Sequence, residues 1–369
     1  MNPRHPSSNR HAFLSSRGER RQASDTRHRK AWRIAAGLIV AALAVATNFT
    51  SRASPPALVP TSAPAASYPQ QTLTNGVIKV MVYLPDAKGG YSRGARFDWS
   101  GMVGRVNYRG HDFYSEWQTP HNPEFHDHAI GPAEEFGMQV PLGYLEAKPG
   151  DTFLKIGIGR ILRKAEDSYG FWNAYTIVEP LPFTITHGED WIQFEQDAPV
   201  QNGFGYHYVK RIALEVGKPT FTITHTLKNT GTKAIDTNWY CHNFTLIDHD
   251  QMGTNYQLEF GFDPKEVPAF KDTLQADGRK LTFIKDLKDS LKADFGNGQG
   301  TKEEDLVTVR NTRTGAAIEI SGDRPLKTMA FYATSTTICP EPFLEFHIGS
   351  DKQEQWKTQY RFAAPQETR

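Results

Sequence analysis

The chain has 369 residues, of which 38% are hydrophobic, 12% aromatic and 22% charged. This composition is too apolar for a disordered protein and lacks the bias of a fibre or coiled coil, so a packed core is expected. The net charge of +1 divides into +8 for residues 1–52 (ten Lys/Arg against two Asp/Glu) and −7 for the rest (32 against 39). The remaining chain therefore gives no sign of the basic surface that nucleic-acid binding needs, and no nucleic-acid partner is predicted.

The N-terminal segment has the pattern of a secretory signal peptide. A basic region precedes the apolar run "IAAGLIVAALAVA", which ends in the small-residue site Ala44-Val45-Ala46. The run is shorter than the ~20 residues that a membrane-spanning helix needs. We therefore predict a signal peptide over residues 1–46 and a periplasmic or secreted protein. An uncleaved anchor is the alternative, and it is the only predicted contact with a membrane.

The segment that follows, residues 47–73, is rich in Pro, Ala and Ser and predicts a linker. A single folded domain is then predicted over residues 74–363. In it, runs of β-branched and aromatic residues such as "VIKVMVYL" and "FTITHTLKNTG" alternate with period two and are separated by turn sequences. The sequence therefore predicts an all-β fold, a large antiparallel β-sandwich.

The segment "RGARFDWSG" is the first with candidate chemistry. If it is a strand, Arg96 and Asp98 point to one face, where the guanidinium could bind sugar hydroxyls or a carboxylate. The alternative interpretation is a surface ion pair beside a core tryptophan.

A polar segment, "TPHNPEFHDHAIGPAEEFG", contains three histidines and two adjacent glutamates. His and Glu are common metal ligands, but their spacing here matches no metal-binding pattern, so no metal is predicted. We expect a loop that uses residues such as His126 and Glu135 as hydrogen-bond partners of a ligand. A plain solvated loop is the alternative.

The segment "NWYCHNF" places His242 on the same strand face as Tyr240 and Phe244. Aromatic faces bind the C–H face of a sugar ring, and a partly desolvated imidazole titrates near neutral pH. This pattern favours a sugar site. A structural histidine within the strand is the alternative.

The segment "ICPEPF" places Glu341 between Pro340 and Pro342. Because proline has no N–H, we predict that this segment is not a regular central strand. An apolar setting raises the basicity of a carboxylate, which a general base requires. A buried glutamate paired with an arginine is the alternative. The chain's two cysteines, Cys241 and Cys339, are predicted to be separate buried thiols, with a disulfide between them as the alternative.

These segments, in this order, resemble the galactose mutarotase-like (aldose 1-epimerase) superfamily, which includes glucose-6-phosphate 1-epimerases. "RGARFDWSG" and "VNYRGHDF" are similar to its opening strands, "NWYCHNF" to the segment with the catalytic His, and "ICPEPF" to the segment with the catalytic Glu. The resemblance covers roughly residues 75–362. It implies the large sandwich of that superfamily, a mono- or oligosaccharide substrate and catalysis without a cofactor.

The resemblance also implies roles for individual residues. His242 would be the acid that protonates the ring oxygen, and Glu341 the base that takes the proton of the anomeric hydroxyl. Arg96 and His126 would bind the substrate, and we predict Glu135 and Asn243 as further substrate-binding residues.

Three functions remain consistent with the sequence, because it lacks the Asn-His-x-Tyr-Phe-Asn-Leu and Leu-His-Gly-Gly runs of true galactose mutarotases. The first is an exported aldose 1-epimerase-like enzyme. The second is a polysaccharide or uronate lyase, or another glycan-cleaving enzyme, in which Arg96 would neutralise a carboxylate. The third is a carbohydrate-binding protein without catalysis.

Overall fold

Twenty-two β-strands, numbered in chain order, build the part of the chain that the structure describes. The structure is a computed structural model, and it describes residues 68–265, 270 and 272–365. The predicted signal peptide and most of the predicted linker lie outside these residues. The first strand begins at Gln70, within the segment predicted as linker and four residues before the predicted domain start at Thr74. The reason is that "QQTLT" pairs with a neighbouring strand despite its polar composition.

Two large antiparallel sheets form the sandwich. The ten-stranded sheet has the order β15 (Leu274–Asp277), β16 (Lys280–Phe283), β14 (Tyr256–Phe260), β18 (Leu306–Asn311), β19 (Ala317–Gly322), β22 (Gln353–Ala363), β12 (Thr220–Asn229), β11 (Phe204–Leu214), β10 (Trp191–Gln201) and β9 (Thr184–His187). The five-stranded sheet has the order β17 (Leu291–Asp294), β20 (Thr328–Thr334), β21 (Thr337–Ile348), β13 (Ile235–Phe244) and β5 (Gly131–Phe136).

Two smaller sheets complete the fold. One contains β1 (Gln70–Thr74), β2 (Lys79–Tyr83), β3 (Val103–Tyr108) and β4 (His111–Asp112), and the other β6 (Thr152–Lys155), β7 (Gly159–Leu162) and β8 (Ile177–Pro180). A 3-10 turn spans Lys302–Glu304. No helix in the described ranges has the length and apolar character needed to cross a membrane. The predicted all-β antiparallel sandwich is confirmed.

The core lies between the two large sheets. Trp239 of β13 packs at 5.7 Å, ring centre to ring centre, on Trp356 of β22, and Phe136 of β5 at 5.3 Å on Tyr208 of β11. Because side chains alternate along a strand, the neighbours of Trp239 and Phe136 in sequence point to the opposite, outer face of the five-stranded sheet.

A buried ion network crosses this core. Glu134 of β5 lies between Lys210 of β11 (2.5 Å) and His225 of β12 (2.9 Å), and the Lys210 ammonium also donates to the Ser100 carbonyl at 2.7 Å. Burial alone would raise the pKa of Glu134, but His225 and Lys210 lower it to about 2. The network ties both sheets to the segment that contains Arg96, since the Asp98 amide also donates to the Glu134 carbonyl at 2.8 Å.

The segment that contains the two prolines is a central strand, so the prediction that it would not be one is wrong. Residues 337–348 form β21, which lies between β20 and β13 and is a central strand. The pairs Tyr240↔Phe343 and Thr245↔Ile338 share one register, but the ladder between them is interrupted. Ile338 exchanges both backbone hydrogen bonds with Thr245, so the even-numbered residues of β21, prolines included, turn their backbone nitrogens toward β13. The missing N–H groups therefore interrupt one ladder and leave the ladder to β20 continuous.

Asp305, directly after the 3-10 turn, is a buried carboxylate with a predicted stability effect. Burial, and then Asp323, raise the pKa of Asp305 from 3.8 to about 7. The folded chain therefore holds this proton more tightly than the unfolded chain, and the free energy of unfolding falls as the pH rises from about 4 to about 7.

Replacing Asp305 by Asn is expected to raise the free energy of unfolding at pH 8 by about 2 kcal/mol. Three pKa units correspond to about 4 kcal/mol, from which the cost of burying an amide is subtracted. Urea denaturation at pH 5 and pH 8 measures the effect, with Asp289→Asn on the exposed surface as a control. An equal change at both pH values would contradict the prediction.

Candidate functional site

A cavity of about 430 Å³ opens on the outer face of the five-stranded sheet, within the size range of small-molecule sites. Strands β17, β20, β21 and β13 form its floor, and the loops around residues 126 and 171 form its sides. Its lining residues include Arg96, His126, Asp127, Phe171, Trp172, His242, Lys292, Tyr332, Glu341 and Phe343.

His242 and Glu341 meet in this cavity. Continuing the register of Tyr240↔Phe343 places the two residues directly opposite each other on the outer face. The His242 Nε2 and Glu341 Oε1 atoms are 3.2 Å apart, and both residues are buried. Two residues predicted from separate segments therefore form one pair.

Aromatic rings surround the His242 imidazole. Phe244 stacks on it at 3.9 Å, while Tyr332 and Phe97 contact it edge-on at 5.5 and 5.9 Å. The prediction that Tyr240 and Phe244 share its face is confirmed, although Tyr240 is covered by Phe343, which stacks on it at 4.4 Å. The apolar rings restrict solvent access to the pair.

This surrounding shifts both pKa values of the pair. Burial, and then the Arg96 charge, hold the pKa of His242 well below its usual value. Burial raises the pKa of Glu341 to about 8, against the opposing effects of Arg96 and Lys292. At neutral pH the pair therefore holds one proton, which these two shifts place on Glu341, with His242 neutral 3.2 Å away.

Arg96 lies beside the pair, between the rings of Phe97 and Phe171 at 4.4 and 4.2 Å. Its Nε donates to Glu135 at 3.0 Å, Nη1 to Asp127, and Nη2 to the Tyr240 hydroxyl at 2.7 Å. These contacts use three of its five N–H groups, so within the described residues two are left for a ligand. The Arg96 side chain faces the cavity, whereas that of Asp98 points between the sheets, where it accepts from Tyr208 at 3.0 Å.

The predicted alignment of Arg96 and Asp98 on one face is therefore wrong. Residues 94–97 form bends and residues 93–99 contain no strand, because the Asp98 and Trp99 amides donate to the carbonyls of Glu134 in β5 and of Gly157.

Glu135 does not reach the cavity, which corrects its predicted contact with substrate. Its carboxylate is fully buried and accepts hydrogen bonds from Arg96, from Lys155 at 2.7 Å and from the Tyr240 hydroxyl at 2.7 Å. Glu135 therefore holds the Arg96 guanidinium in place from inside the protein, on the side away from the cavity. Lys155 was not predicted, because a lysine on a strand is ordinarily solvated.

Asn243 is also misassigned as a substrate-binding residue, since it points into the core. Its amide nitrogen donates to the carbonyls of Cys241 (3.2 Å) and Pro340 (2.9 Å), and Tyr360 donates to its amide oxygen at 2.9 Å. The Thr245 hydroxyl donates to the Asn243 carbonyl at 3.2 Å. Together these side chains supply donors to β13 carbonyls that face the two prolines. Cys241 and Cys339 are both buried and free, as predicted.

His126 lines the cavity, with Nε2 3.2 Å from Asp127. Burial opposes ionisation of Asp127, but the His126 hydrogen bond and the Arg96 charge lower its pKa to about 2. His121 lies elsewhere, stacked on Tyr91 at 4.0 Å. No group of three or more His, Cys, Asp or Glu among the described residues is arranged to hold a metal ion.

Several cavity residues were missed by the sequence analysis: Asp127, Phe171, Trp172, Lys292 and Tyr332. The predicted polar loop contained Asp127, and an Asp between two His was the available signal. Trp172 lies in a loop and Lys292 in β17, and these two segments come together only in the folded chain. Trp172 is 61% exposed, which is unusual for a tryptophan.

No protein-family model matches the chain, and no curated protein matches it. Solved structures do match. The GalM/aldose epimerase homologue from C. elegans has a TM-score of 0.51 at 12% identity, over 81% of this chain and 100% of that one. A protein of Escherichia coli K12 named as a candidate aldose 1-epimerase has a TM-score of 0.50 at 11% identity, over 80% and 99%. The Slr1438 protein from Synechocystis sp. PCC 6803 scores 0.51 at 10% identity, over 82% and 98%. The chain therefore has the galactose mutarotase-like sandwich fold.

Proposed function

We propose that the chain is an exported aldose 1-epimerase-like enzyme that interconverts sugar anomers without a cofactor. The observation that carries the proposal is the His242–Glu341 pair, 3.2 Å apart on the floor of a cavity lined by aromatic and charged side chains. Anomer interconversion needs one acid and one base within reach of the same sugar, and this pair offers both. The fold shared with aldose epimerase homologues supports the proposal.

Ring opening would proceed by two coupled proton transfers. His242 donates a proton to the ring oxygen, Glu341 takes the proton of the anomeric hydroxyl, and the bond between the anomeric carbon and the ring oxygen breaks to leave an aldehyde. Rotation about the adjacent carbon–carbon bond exposes the other carbonyl face. Ring closure then reverses both transfers, so the pair ends with the protons it had at the start.

The electrostatics of the site fit this exchange. The reactive form, with charged His242 and Glu341, is reached when the Glu341 proton moves to His242 across the 3.2 Å contact. Ring opening then leaves both groups neutral, which is the form that burial favours. The proton count of the pair is one throughout. The site therefore lowers the energy of the ring-opened state and keeps the reverse transfer available.

Binding residues would hold the sugar over the pair. The two remaining N–H groups of Arg96 and the Asp127 carboxylate can bond sugar hydroxyls, and His126 fixes the Asp127 orientation at 3.2 Å. The rings of Tyr332, on the cavity floor, and Trp172, at its side, can cover the C–H face of a pyranose.

Two observations weigh against the other functions. A uronate lyase would need Arg96 to neutralise a substrate carboxylate, but Glu135 and Asp127 already pair with its guanidinium. A binding protein has no need of a buried acid–base pair with shifted pKa values, which is typical of catalytic sites.

The test is anomer interconversion followed by NMR on freshly dissolved pure anomers of a panel of aldohexoses and aldopentoses. We expect acceleration over the spontaneous rate, with a kcat/KM that falls as the pH rises through about 8, because the pair then loses its one proton and has no acid. A kcat/KM that increases through this pH would contradict the one-proton state. Absence of acceleration with every sugar would overturn the function.

A further inference from the structure

A second cavity of about 440 Å³ adjoins the first. Three residues, Arg96, His126 and Trp172, line both cavities. The two cavities are therefore neighbours that meet at these side chains. Nothing in the proposed acid–base chemistry requires the second space.

The lining of the second cavity has the composition of a sugar site. Trp172, Tyr175 and Phe125 supply aromatic faces, and Arg93, Glu124 and Asn173 supply hydrogen-bonding groups. Tyr175 is held by stacking on Tyr169 at 5.2 Å. Arg93 is anchored by donation to the Lys88 carbonyl at 3.0 Å. Aromatic faces with a few fixed polar groups are what a pyranose ring binds.

Trp172 lines both cavities and is 61% exposed, and Phe125, which lines the second cavity, is 45% exposed. Exposure of two large aromatic side chains to water is unfavourable in the free protein. An exposed aromatic surface of this kind is typical of a site that a ligand covers. A ligand that extends from one cavity into the other passes the side chains that line both, and among these Trp172 offers the aromatic face.

We propose that the two cavities are consecutive subsites and that the substrate is an oligosaccharide of at least two units. This inference rests on the proposed function. The reducing-end unit lies over His242 and Glu341, since only that unit has an anomeric hydroxyl, and the next unit lies in the second cavity. Trp172 stacks across the linkage between them.

The test compares sugars that share one reducing-end unit: glucose with maltose and cellobiose, mannose with mannobiose, and xylose with xylobiose. We expect at least one disaccharide to exceed its monosaccharide in kcat/KM by about tenfold. Ala174→Trp, which fills the second cavity only, is expected to remove this advantage and to leave monosaccharide kinetics unchanged. Val178→Trp, at an exposed position that lines neither cavity, is the matched control.

Calorimetric titration of the same disaccharides separates failure of the subsite from failure of the function. Disaccharide binding that Ala174→Trp weakens supports the subsite even if no sugar is epimerised. Monosaccharide turnover with no disaccharide preference, or a preference that Ala174→Trp leaves intact, overturns the subsite while the proposed function stands.

Discussion

Replacing Glu341 by Gln is expected to reduce kcat/KM for anomer interconversion by about 10²–10⁴-fold, the usual contribution of a positioned acid or base. Gln has the same shape and can still bond to the His242 Nε2, which lies 3.2 Å from the Glu341 carboxyl group. It cannot accept the proton of the anomeric hydroxyl. The fold should be unaffected, and NMR of pure anomers measures the rate.

The matched control is Glu345→Gln, four residues further along the same strand. Glu345 is 59% exposed and pairs with Lys327 at the surface, at 3.1 Å, so its replacement should leave the rate unchanged. A His242→Asn/Glu341→Gln double variant should be little slower than either single variant, because the two groups act as a unit. If Glu341→Gln retains the full rate, Glu341 is not the base.

Replacing Lys210 by Met is expected to lower the free energy of unfolding by about 3–5 kcal/mol, the usual cost of removing one partner of a buried ion pair. The Lys210 ammonium lies 2.5 Å from Glu134 and 3.6 Å from Asp98, and all three side chains are almost fully buried. Without it, Glu134 keeps His225 as a partner at 2.9 Å, while Asp98 loses the positive charge that offsets the cost of burying its carboxylate. Chemical denaturation measures the change.

Lys357→Met is the control, because Lys357 is exposed on β22 of the same sheet and its replacement should change stability by less than about 0.5 kcal/mol. The double variant Lys210→Met/Glu134→Gln should recover part of the loss, since it leaves fewer uncompensated charges in the core. A Lys210→Met variant as stable as the wild type would show that the network contributes no stability.

The fold class and the two candidate residues His242 and Glu341 could be predicted from local patterns, whereas their action as one pair was implied by the resemblance to the galactose mutarotase-like superfamily. Period-two alternation specifies antiparallel strands. Two residues depart from the pattern expected of a core: His242, an imidazole among aromatic residues, and Glu341, a carboxyl group between prolines. Such departures are found at functional sites.

The remainder of the site depends on tertiary contacts that have no local signal. Glu135 and its neighbour Glu134 are chemically identical in the sequence, yet one supports Arg96 on the outer face and the other pairs with Lys210 between the sheets. Asn243 follows His242 directly, and for that reason faces the core. Lys292 and Trp172 join the cavity from segments far away in sequence.

The two prolines of β21 also select its pairing register. A slip of one residue would turn every side chain of the strand to the opposite face, which would move Glu341 into the core. The same slip would turn Pro340 and Pro342 toward β20, where the ladder is continuous, and two hydrogen bonds would be lost there. In the native register those missing donors face β13, where Asn243 and Thr245 provide replacements. The prolines that flank Glu341 thus disfavour the misfolded pairing that would remove it from the cavity.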